Sequence, residues 1–258
     1  MSLLRSATAP VDLDGDGRLP LTRMPLILMY HNVDEVQEDP CNICVTPRRF
    51  AEQMAWLERR GLRGVGVAEL VEAMRHGRGR GLVGLTFDDG YEGVSAHALP
   101  ELARRGFNAT VFLVTSQLGG TNDWDEGPRW PLLAAASVEA LLRAGVEIGS
   151  HSDTHRHLAG ASARDLTVEV ADSRAKLAAQ IGRDVVGFAY PNGSIDDAAR
   201  TAVRAAGYGY ACAVHTPPPF IGPFALPRVY VGQQDRAARM DAKRLLFRPY
   251  VAMKGRYP

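Results

Sequence analysis

The chain has 258 residues, with 30 Lys or Arg against 29 Asp or Glu and a formal net charge of +1. That balance gives no electrostatic reason for nucleic acid or an anionic membrane as partner, and a neutral substrate fits it better. The length suits one sizeable domain, because α/β barrels reach it without dividing.

Residues 1–24, including Asp12-Leu13-Asp14-Gly15-Asp16-Gly17, are polar, glycine-rich and aperiodic. They predict a mobile arm ahead of a single domain over residues 25–258. The acidic repeat matches the start of a calcium loop but lacks the later acidic ligand and the flanking helices, so calcium is not expected there. No apolar stretch has the length of a signal peptide or a membrane span, and a cytoplasmic location is the expectation. Leu26 to Tyr30 reads instead as the first strand, with His31 at its carboxyl end. In a barrel that end is the catalytic face, although a histidine there can also be a core residue.

Cys41 and Cys44 form a single Cys-x-x-Cys, with Cys212 left over. Without a second pair or a strand-helix setting, these read as reduced structural thiols. Thr46-Pro47 followed by Phe50, Met54 and Leu57 gives an N-cap, a first-turn proline and apolar spacing, and so predicts a helix. Ala68 to His76 repeats the pattern, and the basic stretch Gly77 to Gly81 reads as a surface loop.

Leu82 to Phe87 is a short apolar run, as in a parallel sheet covered on both faces, and it ends in Asp88-Asp89-Gly90. Successive side chains leaving a strand point in different directions, so one aspartate can bind a cation while the other moves a proton. Asp-Asp-Gly is also a common turn. A helix over Ala96 to Arg105 and a strand over Ala109 to Val114 follow. The polar loop Gly119 to Gly127 carries Trp124, and Trp124 or Trp130 either stacks on a sugar ring or anchors the loop. Val146 to Ser150 reads as another strand, running into His151-Ser152-Asp153-Thr154-His155. Two imidazoles at this spacing and one carboxylate make the three protein ligands of an open catalytic zinc site. Leu166, Val170, Leu177 and Ile181 mark one face of a long helix, and a strand from Val185 leads to Tyr190-Pro191-Asn192-Gly193.

Thr86-Phe87-Asp88-Asp89-Gly90 and the His151–His155 stretch resemble the first two motifs of the polysaccharide deacetylase family, also called the NodB-homology or carbohydrate esterase family 4 group. The resemblance covers roughly residues 26–231. It implies a distorted (β/α)7-type barrel and hydrolysis of an N-acetyl group on an amino sugar. It implies Asp89, His151 and His155 as ligands of a divalent metal, most simply Zn2+, with Co2+, Ni2+, Mn2+ and Fe2+ also compatible, and Asp88 as base. Met29-Tyr30-His31 resembles the opening motif of the branch that deacetylates poly-N-acetylglucosamine, which implies His31 as general acid.

The family's third motif commonly reads Arg-x-Pro-Tyr-Gly, but Ala189 stands in place of the arginine and Asn192 in place of the tyrosine. A backbone N–H survives side-chain replacement, so Asn192 still qualifies as oxyanion donor. Tyr190 and Pro191 are expected at the substrate. The missing guanidinium needs another source, and Arg228, on the last strand-like run Ala225 to Val231, is the candidate; the alternative is a solvated arginine on an edge strand. The fifth motif, Leu-x-His, is not evident, and His215 sits in a loop-like setting before three prolines. Two rival functions stay open: a same-fold hydrolase of a non-sugar amide or O-acetyl ester, and a metal-free carbohydrate-binding relative.

Overall fold

The computed structural model describes residue 19, residues 24–214, residue 216 and residues 218–254. The Asp12–Gly17 stretch and His215 lie outside the described residues. Of the expected arm, Leu19 and Met24 are described. Both are buried, and the Leu19 N–H donates to Ile221 O at 3.3 Å.

The six apolar runs expected as strands form strands close to those places, and two further strands form at Arg63–Val65 and Tyr210–Ala213. These are β1 (Ile27–Tyr30), β4 (Arg63–Val65), β5 (Leu82–Phe87), β6 (Thr110–Leu113), β7 (Glu147–Ser150), β8 (Gly187–Ala189), β9 (Tyr210–Ala213), β10 (Leu226–Pro227) and β11 (Val229–Tyr230). Two short strands, β2 (Asn32–Val33) and β3 (Cys44–Val45), pair with each other outside this sheet. The main sheet is parallel in the order β10-β9-β8-β7-β6-β5-β1-β11, with β4 beside β5. Its first and last members are the two halves of one run split at Arg228. Because β10 pairs with β9 and β11 pairs with β1, that run joins the two ends of the sheet and closes the expected barrel. Arg228 therefore lies at the closing seam and not on an open edge.

Helices cover the outside: α1 (Pro47–Arg59), α2 (Val67–Arg75), α3 (Leu99–Arg104), α4 (Ala135–Arg143), α5 (Ala163–Leu166), α6 (Ser173–Ile181), α7 (Asp197–Ala205) and α8 (Ala237–Lys254). Thr46 caps α1 by accepting from the Arg49 N–H, with Pro47 in the first turn. The expected long helix over residues 166–181 is interrupted by a π-helical stretch, Thr167–Asp172, between α5 and α6. No described helix is long and apolar enough to cross a membrane.

Strand alternation sorts the core into two sets. Leu28, Tyr30, Leu85, Phe87, Ile148 and Phe188 pack outward under the helices. Ile27, Phe112, Ala189, Tyr210 and Leu226 belong to a separate cluster that fills the barrel. With Leu85 and Phe87 outward, the same alternation turns Thr86 and Asp88 inward.

Candidate active site

The site forms where β1, β5, β7 and β8 end. The Asp88 N–H donates to Tyr30 O at 3.0 Å, which extends the β1–β5 pairing by one residue and holds the carboxylate at the barrel mouth. Asp89 and Gly90 then adopt left-handed backbone, φ 70° and 80°. At Gly90 a Cβ would meet Leu113 Cδ2 at 2.6 Å in a backbone conformation that side chains rarely adopt, so the bend favours glycine there. The bend sends the two neighbouring carboxylates in different directions, and both are buried.

Asp88 meets Arg228. The guanidinium makes a bidentate pair, Nη1 to Oδ1 and Nη2 to Oδ2, each at 2.6 Å, and Nη1 also donates to Thr86 Oγ1 at 3.1 Å. Burial alone would push the Asp88 carboxyl up, but Arg228 and His151 outweigh it and hold the group below the usual carboxylate range. Arg228 passes over the Phe112 ring at 5.6 Å in the barrel interior.

Asp89 meets the two histidines. Nε2 of His151 and Nε2 of His155 stand 3.4 and 3.2 Å from Asp89 Oδ1, an oxygen that is buried without a hydrogen-bond partner among the described residues. The three donor atoms lie within 4.8 Å of one another. His151 Nδ1 lies 2.8 Å from Ala189 O, which can only accept, so this nitrogen carries the proton and the Nε2 lone pair faces the cluster. An orphaned carboxylate oxygen and imidazole nitrogens converging on one point suit a divalent cation.

The two histidines meet through a tight loop, not a helix. Ser152 and His155 are left-handed, φ 67° and 63°, and the His155 N–H donates to Ser152 Oγ at 3.0 Å. Glu169, on the π-helical stretch, accepts from the Asp153 N–H at 3.1 Å, the Thr154 N–H at 2.9 Å and Thr154 Oγ1 at 2.5 Å. It is buried, and its three bonds fix the loop between the ligands. The sequence reading missed this residue. The available signal was a carboxylate at the i+3 position of the Leu166–Val170 apolar stripe.

A cleft of about 250 Å³ brings together His31, Asp88, Asp89, Trp124, His155, Asn192 and Arg228. Trp124 lies flat against the His155 ring, centroids 4.6 Å apart, and forms one wall. Trp130 packs edge-on against Tyr91, and its backbone N–H donates to Asn122 Oδ1, so it anchors the loop. His31 Nδ1 is buried without a partner among the described residues. Asn192 is exposed and left-handed, φ 55°, in the turn after β8. Tyr190 and Pro191, expected at the substrate, do not line the cleft: both are buried, and the Tyr190 hydroxyl donates to Phe224 O at 2.9 Å. Strand alternation accounts for Tyr190, because with Ala189 facing inward Tyr190 turns outward beside Phe188. Cys41 is exposed, and Cys44 and Cys212 are buried; all three are free.

Comparison with known proteins finds relatives in sequence and in fold. YxkH of Bacillus subtilis (strain 168), a polysaccharide deacetylase by name, is 26% identical over 184 residues, which are 70% of this chain and 61% of the relative. The chain thus spans less than two thirds of that protein. A poly-β-1,6-N-acetyl-D-glucosamine N-deacetylase of Staphylococcus epidermidis is 24% identical over 202 residues, 74% of this chain and 68% of the relative. The Streptococcus pyogenes deacetylase PplD, solved in complex with acetate, superposes with a TM-score of 0.72 at 21% identity, over 84% of this chain and 96% of that one, a likeness in fold. The family described as polysaccharide deacetylase matches residues 76–211, slightly more than half of the 258, and includes both Asp88-Asp89 and the His151–His155 loop. The chain belongs to the polysaccharide deacetylase family.

Proposed function

We propose that the chain is a metal-dependent deacetylase that hydrolyses the N-acetyl group of an amino sugar, releasing acetate and a free amine. The observation that carries this reading is the buried Asp89-His151-His155 cluster with the Asp88–Arg228 pair beside it at one cleft. The Staphylococcus relative, named for poly-N-acetylglucosamine, supports an acetylated amino sugar as the substrate class.

Asp89, His151 and His155 would hold the cation, most simply Zn2+, with Co2+, Ni2+, Mn2+ and Fe2+ compatible with two nitrogens and one carboxylate. When bound, such an ion supplies a Lewis acid for the acetyl carbonyl and lowers the pKa of water. Asp88 takes the proton from the attacking water. Arg228 keeps that carboxylate ionised and fixes its orientation. A carboxylate held this low is a weak base, so its value lies in placement. The Asn192 N–H serves as the donor to the developing oxyanion, and His31 protonates the amine nitrogen as the C–N bond breaks, since an amine anion is a very poor leaving group.

The test is acetate release from an N-acetylglucosamine oligomer by wild type and Asp88→Asn, with bound metal measured in both. The variant should keep its metal and lose turnover by about 10²-fold or more. Undiminished turnover would remove Asp88 as the base.

A further inference from the structure

Beside the cleft lies a second and larger cavity, of about 780 Å³, between the closing seam of the barrel and helix α8. Met29, Pro227 and Val229 line it from the strands, and Leu246, Phe247 and Val251 line it from the helix. The two spaces adjoin: Met29, His31, Cys41, Ile43, Val214 and Arg228 border both.

The groove is mostly apolar, and its buried polar atoms without a partner among the described residues, Thr216 Oγ1, His31 Nδ1 and Arg228 Nε, are too few for a hydroxyl-rich ligand. Lys243 is its cation besides Arg228, and Nζ is already committed to Tyr230 O at 2.6 Å and Asp235 Oδ2 at 2.5 Å. Arg228 is committed to Asp88. The Tyr230 hydroxyl donates to Asn42 O. The hydroxyls of a polysaccharide placed here would lose water without finding enough partners, whereas a hydrocarbon chain would lose nothing. Volume and lining match the mostly apolar pockets that enclose small ligands. Leu246, 60% exposed, leaves an apolar side chain at the groove without cover from the other described residues.

The reaction geometry sets which part of a substrate arrives there. This step rests on the reading given under Proposed function, in which His31 protonates the leaving nitrogen. His31 borders both the cleft and the groove, so the body of the amine product, and not the acetyl group, lies on the groove side of it. We infer that the groove between β11 and α8 binds an apolar chain, alkyl or acyl, carried by the acetylated amino sugar. The substrate class is then a glycolipid with an N-acetylated sugar head.

The experiment uses the metal-loaded protein and monomeric methyl, butyl and octyl glycosides of N-acetylglucosamine, with acetate release and calorimetric binding measured for each. From methyl to octyl, kcat/KM should rise by at least about tenfold, because each methylene that enters the groove leaves water. Leu246→Glu should cut the octyl-to-methyl ratio by about fivefold or more, since it places a charge against the chain. Leu245→Glu is the control: Leu245 is 65% exposed on the same helix but does not line the groove, and the ratio should stay as in wild type. A flat series, the outcome if another segment or a protein partner fills the groove, overturns the inference. So does a rise that Leu246→Glu leaves intact. Affinity that grows with chain length but without acetate release keeps the groove and removes the deacetylase reading; acetate release without chain-length dependence does the reverse.

Discussion

At the amino-terminal end of the barrel strands, Glu147 opens β7 and accepts from Thr110 Oγ1 and the Tyr210 hydroxyl, each at 2.6 Å, and from the Ala68 N–H at 3.0 Å. At the carboxyl-terminal end, Asp88 closes β5 in the grip of Arg228. Both acids leave water, and burial pushes both carboxyls up. At Glu147 the neutral donors offset this only in part, and the group stays raised. At Asp88 the guanidinium outweighs it, and the group stays low. Glu147 and Thr110 together supply the cap that Gly66 cannot give to α2, since the Val67 N–H also donates to Thr110 Oγ1 at 2.8 Å. A buried acid is therefore not evidence of chemistry by itself. What separates the two ends is a fixed opposite charge, a cleft and a neighbouring carboxylate oxygen left unpaired.

Breaking the charged end should have the largest effect. Arg228→Met leaves Asp88 buried without its counter-charge, a loss of about 3–5 kcal/mol if the carboxylate stays ionised. Proton uptake relieves that penalty, because removing a positive neighbour raises a carboxylate's pKa. The working form is the ionised one, so the acid limb of the kcat/KM profile should move to higher pH while bound metal stays. A limb at the wild-type position would show that Arg228 does not hold Asp88 ionised.

An intermediate effect is expected where the same logic supports the ligand loop. Glu169→Gln replaces a charged acceptor of three hydrogen bonds with a neutral amide, and should weaken metal binding by about 10–100-fold in competition with a chelator. Metal affinity equal to wild type would reduce Glu169 to a helix-packing residue.

The smallest effect belongs to the other end. Glu147→Gln keeps the shape, has one donor in place of an acceptor, and should change stability near neutrality by only about 1 kcal/mol. The sign with pH is specific. A carboxyl whose folded pKa is raised keeps its proton after the unfolded chain has lost its own, so its contribution falls as pH rises from the ordinary glutamate value toward the raised one. Melting curves across that window should slope downward more in wild type than in Glu147→Gln. Parallel slopes would mean that the Glu147 carboxyl is not raised.

The chemistry at the barrel mouth could be read from sequence because it sits on contiguous stretches directly after apolar runs: Asp88-Asp89 after Leu82–Phe87, and His151–His155 after the β7 run. Arg228 was nameable only because an arginine was missing at position 189; its partner is 140 residues away, and nothing local records the contact. The turn of Tyr190 away from the cleft was not legible, since a strand with apolar residues on both faces carries no alternation to show which side is inward. The π-helical stretch that delivers Glu169 has no periodic signature of its own, as one extra residue per turn barely disturbs the apolar spacing. Helix α8 and the groove beneath it went unread because charged and apolar residues are interleaved along Ala237–Lys254 instead of forming a stripe.

The central claim is that a cation held by Asp89, His151 and His155 makes this cleft a deacetylase. The most direct measurement strips the metal from wild-type protein and returns Zn2+ in steps, following acetate release from an N-acetylglucosamine oligomer at each step. The account predicts background activity in the stripped protein and recovery in proportion to metal bound, reaching full turnover at one ion per chain, with no recovery in Asp89→Ala. Acetate release that persists in stripped protein, or that Asp89→Ala recovers as wild type does, would contradict it.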